Sequence, residues 1–356
     1  MFFLTIKVAI AGVGNCACAF VQGLQYYGKN ADFIELMHPG LGIYTIRDIE
    51  IVAAFDVNKE KVGKDLSEAI FAKPNNALKY LDHIKETGVT VQMAPVMNGI
   101  SPLLKNLVEI SDAEPVAIRK ILEERGAEML INLLPTGANE ASKFYSEEAI
   151  AANCAFINCT PTLIASDEAW GNRFKEAGLP VCGDDLQSQI GGTVFHKGLL
   201  ELLVNRGVHV SETYQLDISG TAEGITALDR DRRMYKRKVK TDAIKAVVPH
   251  PIEATTGSTD YVDFMKSRRT SYFWIDGKYF LGAPIQIDIF FRTEDSANGA
   301  GTLMDVVRGV KIALDRKVSG PLISVSAFGF KKAPLTMSYR EAIQLLDDFV
   351  AGRKER

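Results

Sequence analysis

This 356-residue chain has few cysteines, five in all, with no Cys-x-x-Cys pair, so it carries neither a disulfide framework nor the ligand spacing of a zinc site. An odd set of scattered thiols points to a reducing cytoplasm. No apolar run reaches the roughly 20 residues that span a bilayer. The net charge is only −3, which leaves no electrostatic footprint for nucleic acid or a membrane surface. Internal repeats and low-complexity segments are also missing. The apolar start Met1-Phe2-Phe3-Leu4 lacks a basic n-region and reads as the approach to a strand, not a secretory signal. What is present is ordinary for a globular protein, 47% hydrophobic and 24% charged residues, at a length where one core gives way to two domains.

The most informative stretch lies near the start. An apolar run, Val8-Ala9-Ile10-Ala11, meets Gly12-Val13-Gly14-Asn15-Cys16-Ala17 and then the periodic apolar residues Phe20, Val21, Leu24 and Tyr27. Strand, glycine turn and helix in that order put backbone N–H groups and a positive helix end where a pyrophosphate sits. Gly12 permits the turn, Gly14 lets a ligand approach, and Ala17 lets helix pack on strand. A second strand, residues 51–55, ends at Asp56, which is read as the acceptor for the ribose hydroxyls and as a charge that repels a 2′-phosphate, favouring NAD over NADP. The alternative role for Asp56 is a strand-end cap. It lies beyond the usual spacing of about 20 residues, and the excess, residues 28–48, reads as an inserted loop.

Up to about Asp185, strand candidates at 8–11, 51–55, 129–134, 155–158 and 180–182 alternate with helical stretches, which predicts a parallel sheet covered on both faces. Ligand loops then follow the strand ends, at Leu134-Pro135-Thr136-Gly137, Asn158-Cys159-Thr160-Pro161 and Gly183-Asp184-Asp185. After a helix at 194–204 the texture changes. Segments 214–218, 270–275 and 285–291 alternate like half-buried antiparallel strands, with Asp276-Gly277 as a hairpin turn between two of them. The expected fold is a Rossmann-type doubly wound α/β domain, residues 1–186 completed by 301–356, plus an α+β domain, residues 187–300, whose antiparallel sheet is largely exposed on one face. That sheet, with Phe273, Trp274 and Ile289, is the expected oligomer interface. The second domain also holds Lys236, Lys238, Lys240 and Lys245, either a solvated helix face or cations gathered for chemistry.

Residues 8–27 (VAIAGVGNCACAFVQGLQYY), 52–66 (VAAFDVNKEKVGKDL), 156–167 (FINCTPTLIASD), 181–193 (VCGDDLQSQIGGT) and 294–301 (EDSANGAG), in this order, resemble the myo-inositol-phosphate synthase family in its shorter bacterial and archaeal form. The resemblance implies an NAD-dependent isomerase with no net redox change. Glucose 6-phosphate would be oxidised at C5, enolised at C6, closed onto the C1 aldehyde and reduced again. It further implies a cytoplasmic homotetramer serving inositol and phospholipid biosynthesis, with no nucleic-acid or membrane partner.

Position by position, the resemblance gives Lys236 and Lys240, one of Lys331 and Lys332, and Asp260 as catalytic residues. It gives Ser188, Gln189, Gly191 and Thr193 as the loop for the substrate phosphate. The cofactor set is Gly12, Val13, Gly14, Asn15, Cys16, Asp56, Pro135, Thr136, Asp184, Asp185, Asp295 and Ser296. No residues are assigned to a tight metal site, and a weakly bound oxygen-ligated cation or K⁺ is left open. Two positions depart from the family: Gln187 replaces a lysine and Thr221 an asparagine. They motivate a different substrate such as fructose 6-phosphate. The sequence is also compatible with a non-catalytic sensor that binds NAD and a sugar phosphate, and with an ordinary dehydrogenase.

Overall fold

The computed structural model describes residues 4–29, 34–100 and 102–356; Met1-Phe2-Phe3 lie outside these. Seven parallel strands form the larger sheet. Their spatial order is Gly320–Pro321, Pro180–Gly183, Ala155–Asn158, Met129–Asn132, Ile6–Ala11, Ile49–Asp56 and Val91–Met93. Successive crossovers run one way from Ile6–Ala11 through Val91–Met93 and the other way from Met129–Asn132 onward. The order therefore reverses beside Ile6–Ala11, and beyond the carboxyl end of such a strand lies the crevice where open α/β sheets bind ligands. Every residue of Met129–Asn132, Ala155–Asn158 and Pro180–Gly183 is buried. Continuous apolar runs of this kind are what a sheet covered on both faces requires.

The five strands expected in this sheet are present, and two short ones, Val91–Met93 and Gly320–Pro321, carry too few residues for periodicity to reveal. Phe20, Phe55, Phe156 and Phe174 are fully enclosed around it, each contributing about 1.5–3 kcal/mol through burial. The chain leaves this sheet after Pro180–Gly183 and returns at its end: the helix Asp295–Asp315 packs on the helix Asn15–Lys29, and Gly320-Pro321 pairs with Pro180-Val181. The packing is close enough that a Cβ on Gly23 would sit 2.9 Å from Met304 Cε.

The second sheet has the order Glu253–Tyr261, His209–Ser219, Arg268–Lys278, Pro284–Glu294. The two pairings of Arg268–Lys278, with His209–Ser219 and with Pro284–Glu294, are antiparallel as expected, but Glu253–Tyr261 runs parallel to His209–Ser219, so the sheet is mixed. The helix Arg230–Lys245 supplies the crossover that a parallel pair demands. Asp276-Gly277 is not the hairpin turn. It sits inside the strand, at a register shift where a Gly277 Cβ would meet His209 O at 2.7 Å, and the chain reverses at Phe280–Gly282 instead. Phe273 is completely buried against Phe195 and His196, whereas Tyr214, Tyr272 and Trp274 stack on the other face and Phe290 is 72% exposed. The residues that could meet a partner subunit are thus Trp274 and Phe290, not Phe273. No described helix is long and apolar enough to cross a membrane.

Candidate active site

A cleft of about 1810 Å³, counting its open mouth, lies beyond the carboxyl ends of the large sheet, between the glycine loop and the helix Arg230–Lys245. Its floor is residues 12–16. Gly12 has φ +94°, and a Cβ there would stand 3.0 Å from the Leu133 carbonyl group, so only glycine fits. Gly14 is the opposite case: nothing lies within 4 Å of a would-be Cβ, because that side faces open space. The helix Asn15–Lys29 starts here, and its first N–H groups have no acceptor within the helix.

Asp56 borders the cleft but also ties it together. One carboxyl oxygen accepts from Val13 N at 2.9 Å and the other from Val57 N and Asn58 N at 2.8 and 3.0 Å. Lys61, unnoticed in the sequence, donates to Val13 O at 2.8 Å and lies 3.6 Å from Asp56. Cys16 lines the cleft as a thiol, burial pushing it up to about 12.

Of the neighbouring loops, Pro135, Thr136, Asp185, Asp295 and Ser296 reach the cleft. Asp184 does not. Its buried carboxyl accepts from Asn158 Nδ2 at 2.7 Å, Ser166 Oγ at 2.6 Å and the N–H groups of Ile164, Ala165 and Ser166 at 3.1 Å, so it folds the loop instead of meeting a ligand. Burial pushes that carboxyl up to about 6 against the pull of these donors.

Four cations gather on the opposite wall, each against a carboxylate. Lys236 pairs with Glu223, which also accepts from the hydroxyl and the N–H of Thr136. Arg269 meets Asp295 at 2.9 Å, Lys331 meets Asp185 at 2.8 Å, and Lys240 meets Asp217 at 2.7 Å. Lys236, Arg269 and Lys331 border the cleft, while Lys240 stands behind them. The spacing Lys236, Lys240 puts both on the inner face of one helix with Val239 and Ala243, and Lys238 projects outward to Asp242. Asp229 starts that helix by accepting from Arg232 N at 3.0 Å.

Burial raises the Glu223 carboxyl, but Lys236 and Thr136 outweigh it and hold the group down at about 2. Burial likewise opposes the charge on Lys236, and Glu223 restores it, leaving that ammonium above its ordinary value.

The pair Lys331-Lys332 resolves into two roles. Lys331 Nζ reaches Asp185 and Leu186 O, whereas Lys332 joins its backbone to that of Asp184. Asp260 does not join the cluster: it lies exposed on the sheet's edge strand, after a register shift, and accepts from Tyr261 N at 2.8 Å.

In the loop expected to hold the substrate phosphate, Ser188 borders the cleft and Gly191 caps the helix Gly192–Asn205. Gln189 turns away to donate to Glu35 O at 2.9 Å, and Thr193 is buried off the cleft. Gln187 also points elsewhere, toward Phe328 O at 3.3 Å, while Thr221 lines the cleft and caps the N–H of Gly224.

Sequence reasoning missed Arg269, Asp217 and the role of Glu223. A cation at Arg269 has no local signature, because its partner Asp295 lies 26 residues away.

The profile of a family described as myo-inositol-1-phosphate synthase matches residues 191–296, a span that holds Lys236, Lys240 and Arg269 of this cation cluster. Over nearly the whole chain the likeness continues. The inositol-3-phosphate synthase of Mycolicibacterium smegmatis is 40% identical over 358 residues, 98% of this chain and 98% of its own. The chain belongs to the inositol-3-phosphate synthase family.

The synthase of Corynebacterium glutamicum is also 40% identical, covering 97% of this chain and 98% of its own. Among solved structures, Ari2 matches at 30% identity and a TM-score of 0.77 over 98% of this chain and 99% of its own. The Caenorhabditis elegans inositol-3-phosphate synthase matches at a TM-score of 0.78 and 13% identity over 98% of this chain and 86% of its own, a likeness of fold alone.

NAD is the cofactor this family implies, and the residues fit it. The open side of Gly14 leaves a cradle that a side chain would fill. Asp185 Oδ2 and Arg269 Nε are buried on the cleft wall without a hydrogen-bond partner, as groups awaiting a ligand would be. No group of three or more His, Cys, Asp or Glu side chains placed to hold a metal occurs among the described residues.

Proposed function

We infer that this protein converts glucose 6-phosphate into an inositol phosphate by a redox-neutral, NAD-dependent cyclisation. The observation that carries this reading is the convergence of Lys236, Arg269 and Lys331 on the cleft that the glycine loop opens, in a chain 40% identical to inositol-3-phosphate synthases. NAD, when bound, accepts a hydride from C5 of the sugar and gives it back.

The protein's own residues do the rest. The ammonium groups of Lys236 and Lys331 and the Arg269 guanidinium face negative charge as it develops on the enolate and alkoxide oxygens, in a site where burial strengthens each attraction. Glu223 fixes Lys236 and, through Thr136, ties the cation wall to the loop after Met129–Asn132. Ser188, beside the start of the helix Gly192–Asn205, holds the substrate phosphate. Residues 12–16 hold the pyrophosphate and Asp56 the ribose.

The division of labour follows the two sheets: residues 1–186 with 301–356 bind cofactor and add Lys331 to the cation cluster, and residues 187–300 supply the rest of the catalytic side chains and the subunit contact. That contact, through Trp274 and Phe290, builds a homotetramer, and the enzyme works in the cytoplasm within inositol and phospholipid biosynthesis.

A second reading keeps the chemistry and changes the sugar to fructose 6-phosphate. Of the two departures from the family, Thr221 borders the cleft and motivates it, whereas Gln187 turns away. Incubation of purified protein with NAD⁺ and each hexose phosphate separates the readings. The expected result is a cyclic phosphate from glucose 6-phosphate with no net NADH; a product from fructose 6-phosphate alone supports the second reading. NADH accumulating with substrate would make the protein a dehydrogenase, and failure of NAD-loaded protein to turn over any hexose phosphate would leave a sensor.

A further inference from the structure

Lys240 sits one helical turn beyond Lys236 in a different setting. It is 1% exposed and does not border the cleft, and its Nζ lies 2.7 Å from Asp217 Oδ2. Asp217 also accepts from Ser271 Oγ at 2.6 Å and from Gln215 Nε2 at 2.9 and 3.0 Å. An amide that gives its N–H groups to a carboxylate turns its oxygen the other way, and Gln215 Oε1 lies 3.3 Å from His196 Nδ1. That oxygen can only accept, so His196 carries its proton on Nδ1. Burial keeps the imidazole neutral by pushing it down to about 4, and its Nε2 lies 2.8 Å from Thr213 Oγ1. A buried row of oriented donors therefore ends on one carboxylate, and that carboxylate faces Lys240.

We propose that Asp217 is the positioning residue for Lys240, holding its ammonium protonated and fixed behind the cations of the cleft, and that Ser271, Gln215 and His196 in turn hold Asp217. The role rests on the synthase reading of the site. Without Asp217 the ammonium would face only groups that disfavour it. Burial acts first, and then Arg269 from the neighbouring strand, Lys236 from its own helix and Lys331 from the carboxyl-terminal segment add like charge. His196, from the helix Gly192–Asn205, faces Asp217 through Gln215 and is neutral. Asp217 is the opposing charge, itself held well below the usual carboxylate range by Lys240 and Arg269 against the effect of burial. Losing that charge lowers the affinity of Lys240 for its proton, so it deprotonates at lower pH.

The test follows the Nζ titration of Lys240 by NMR in protein labelled at lysine, with Lys240→Arg identifying the resonance. In Asp217→Asn the midpoint should fall by about one pH unit or more, and in Ser271→Ala by a smaller amount. The alkaline limb of kcat should move to lower pH with it, while KM for glucose 6-phosphate stays within about threefold, since no contact made equally in ground and transition states is lost. Asp217→Glu should restore part of both shifts. An unchanged midpoint and an unchanged alkaline limb in an Asp217→Asn protein that melts like the parent would overturn the proposal. If that variant does not fold, an unchanged midpoint in Ser271→Ala overturns it. The titration needs no turnover, so its failure is distinct from an absence of synthase activity.

Discussion

The two walls of the cleft recognise charge by different means. On the large-sheet side the positive potential comes from backbone: the start of the helix Asn15–Lys29 and a glycine turn whose φ of +94° no side-chain-bearing residue adopts easily. Across the cleft it comes from side chains, Lys236 and Arg269 on the mixed-sheet side and Lys331 from the carboxyl-terminal segment, each held by an acid from another element. Backbone dipoles are fixed by local sequence and carry no net charge. Side-chain cations can match charge that appears only during a reaction, but their placement depends on partners far away in the chain. The first wall is built to hold, the second to respond.

That contrast predicts separable losses. The largest effect is expected for Lys236→Ala and Lys331→Ala, with turnover down about 10²–10³-fold, the loss seen when a preorganised transition-state donor is removed. Calorimetric NAD⁺ affinity should stay within about threefold, within ordinary mutational scatter of about 0.6 kcal/mol; an equal loss of cofactor binding would mean the walls do not divide the work.

Gly12→Ala should do the reverse. Its Cβ meets the Leu133 carbonyl and its φ is strained, a cost of about 1–3 kcal/mol that should weaken NAD⁺ binding about tenfold or more and lower the melting temperature. A variant that binds NAD⁺ like the parent would refute the cradle.

Glu223→Gln probes the join between the walls through pH. The folded carboxyl titrates at about 2, below its ordinary 4.5. Its contribution to stability is therefore full above pH 4.5 and is lost as pH falls toward 2. Acid denaturation of the variant should show less stability at neutral pH and a flatter loss across that window, and parallel curves would contradict the pairing.

Phe290→Lys should have the smallest catalytic effect. Sedimentation should shift toward smaller assemblies with kcat within about twofold, because this 72% exposed ring does not border the cleft.

The same contrast explains what could be read from the sequence. Gly12, Gly14, the strand ends and the loops at Thr136 and Asp185 follow local rules, since a glycine turn between strand and helix has one geometry and parallel strands end on one edge. Lys236 and Lys240 were legible as a pair because four residues make one helical turn. Their meaning was not: Asp217 and Arg269 come from strands whose register is set by sheet pairing, and Glu223 from the short helix Ala222–Thr226 that follows one of them. Asp184 and Gln189 show the converse limit, for adjacent residues of one loop turn to different sides, Asp184 into the core and Asp185 onto the cleft. The hairpin expected at Asp276-Gly277 failed for a related reason. A glycine needed for close strand approach looks the same in sequence as one needed for a turn.

The central claim, that a hydride leaves C5 and returns to it within one closed cycle beside the cation wall, is tested most directly with glucose 6-phosphate deuterated at C5. Full retention of the label in the inositol phosphate, with no reduced cofactor left over, is the predicted result. Loss of the deuterium to solvent or its accumulation in free reduced cofactor would contradict the account.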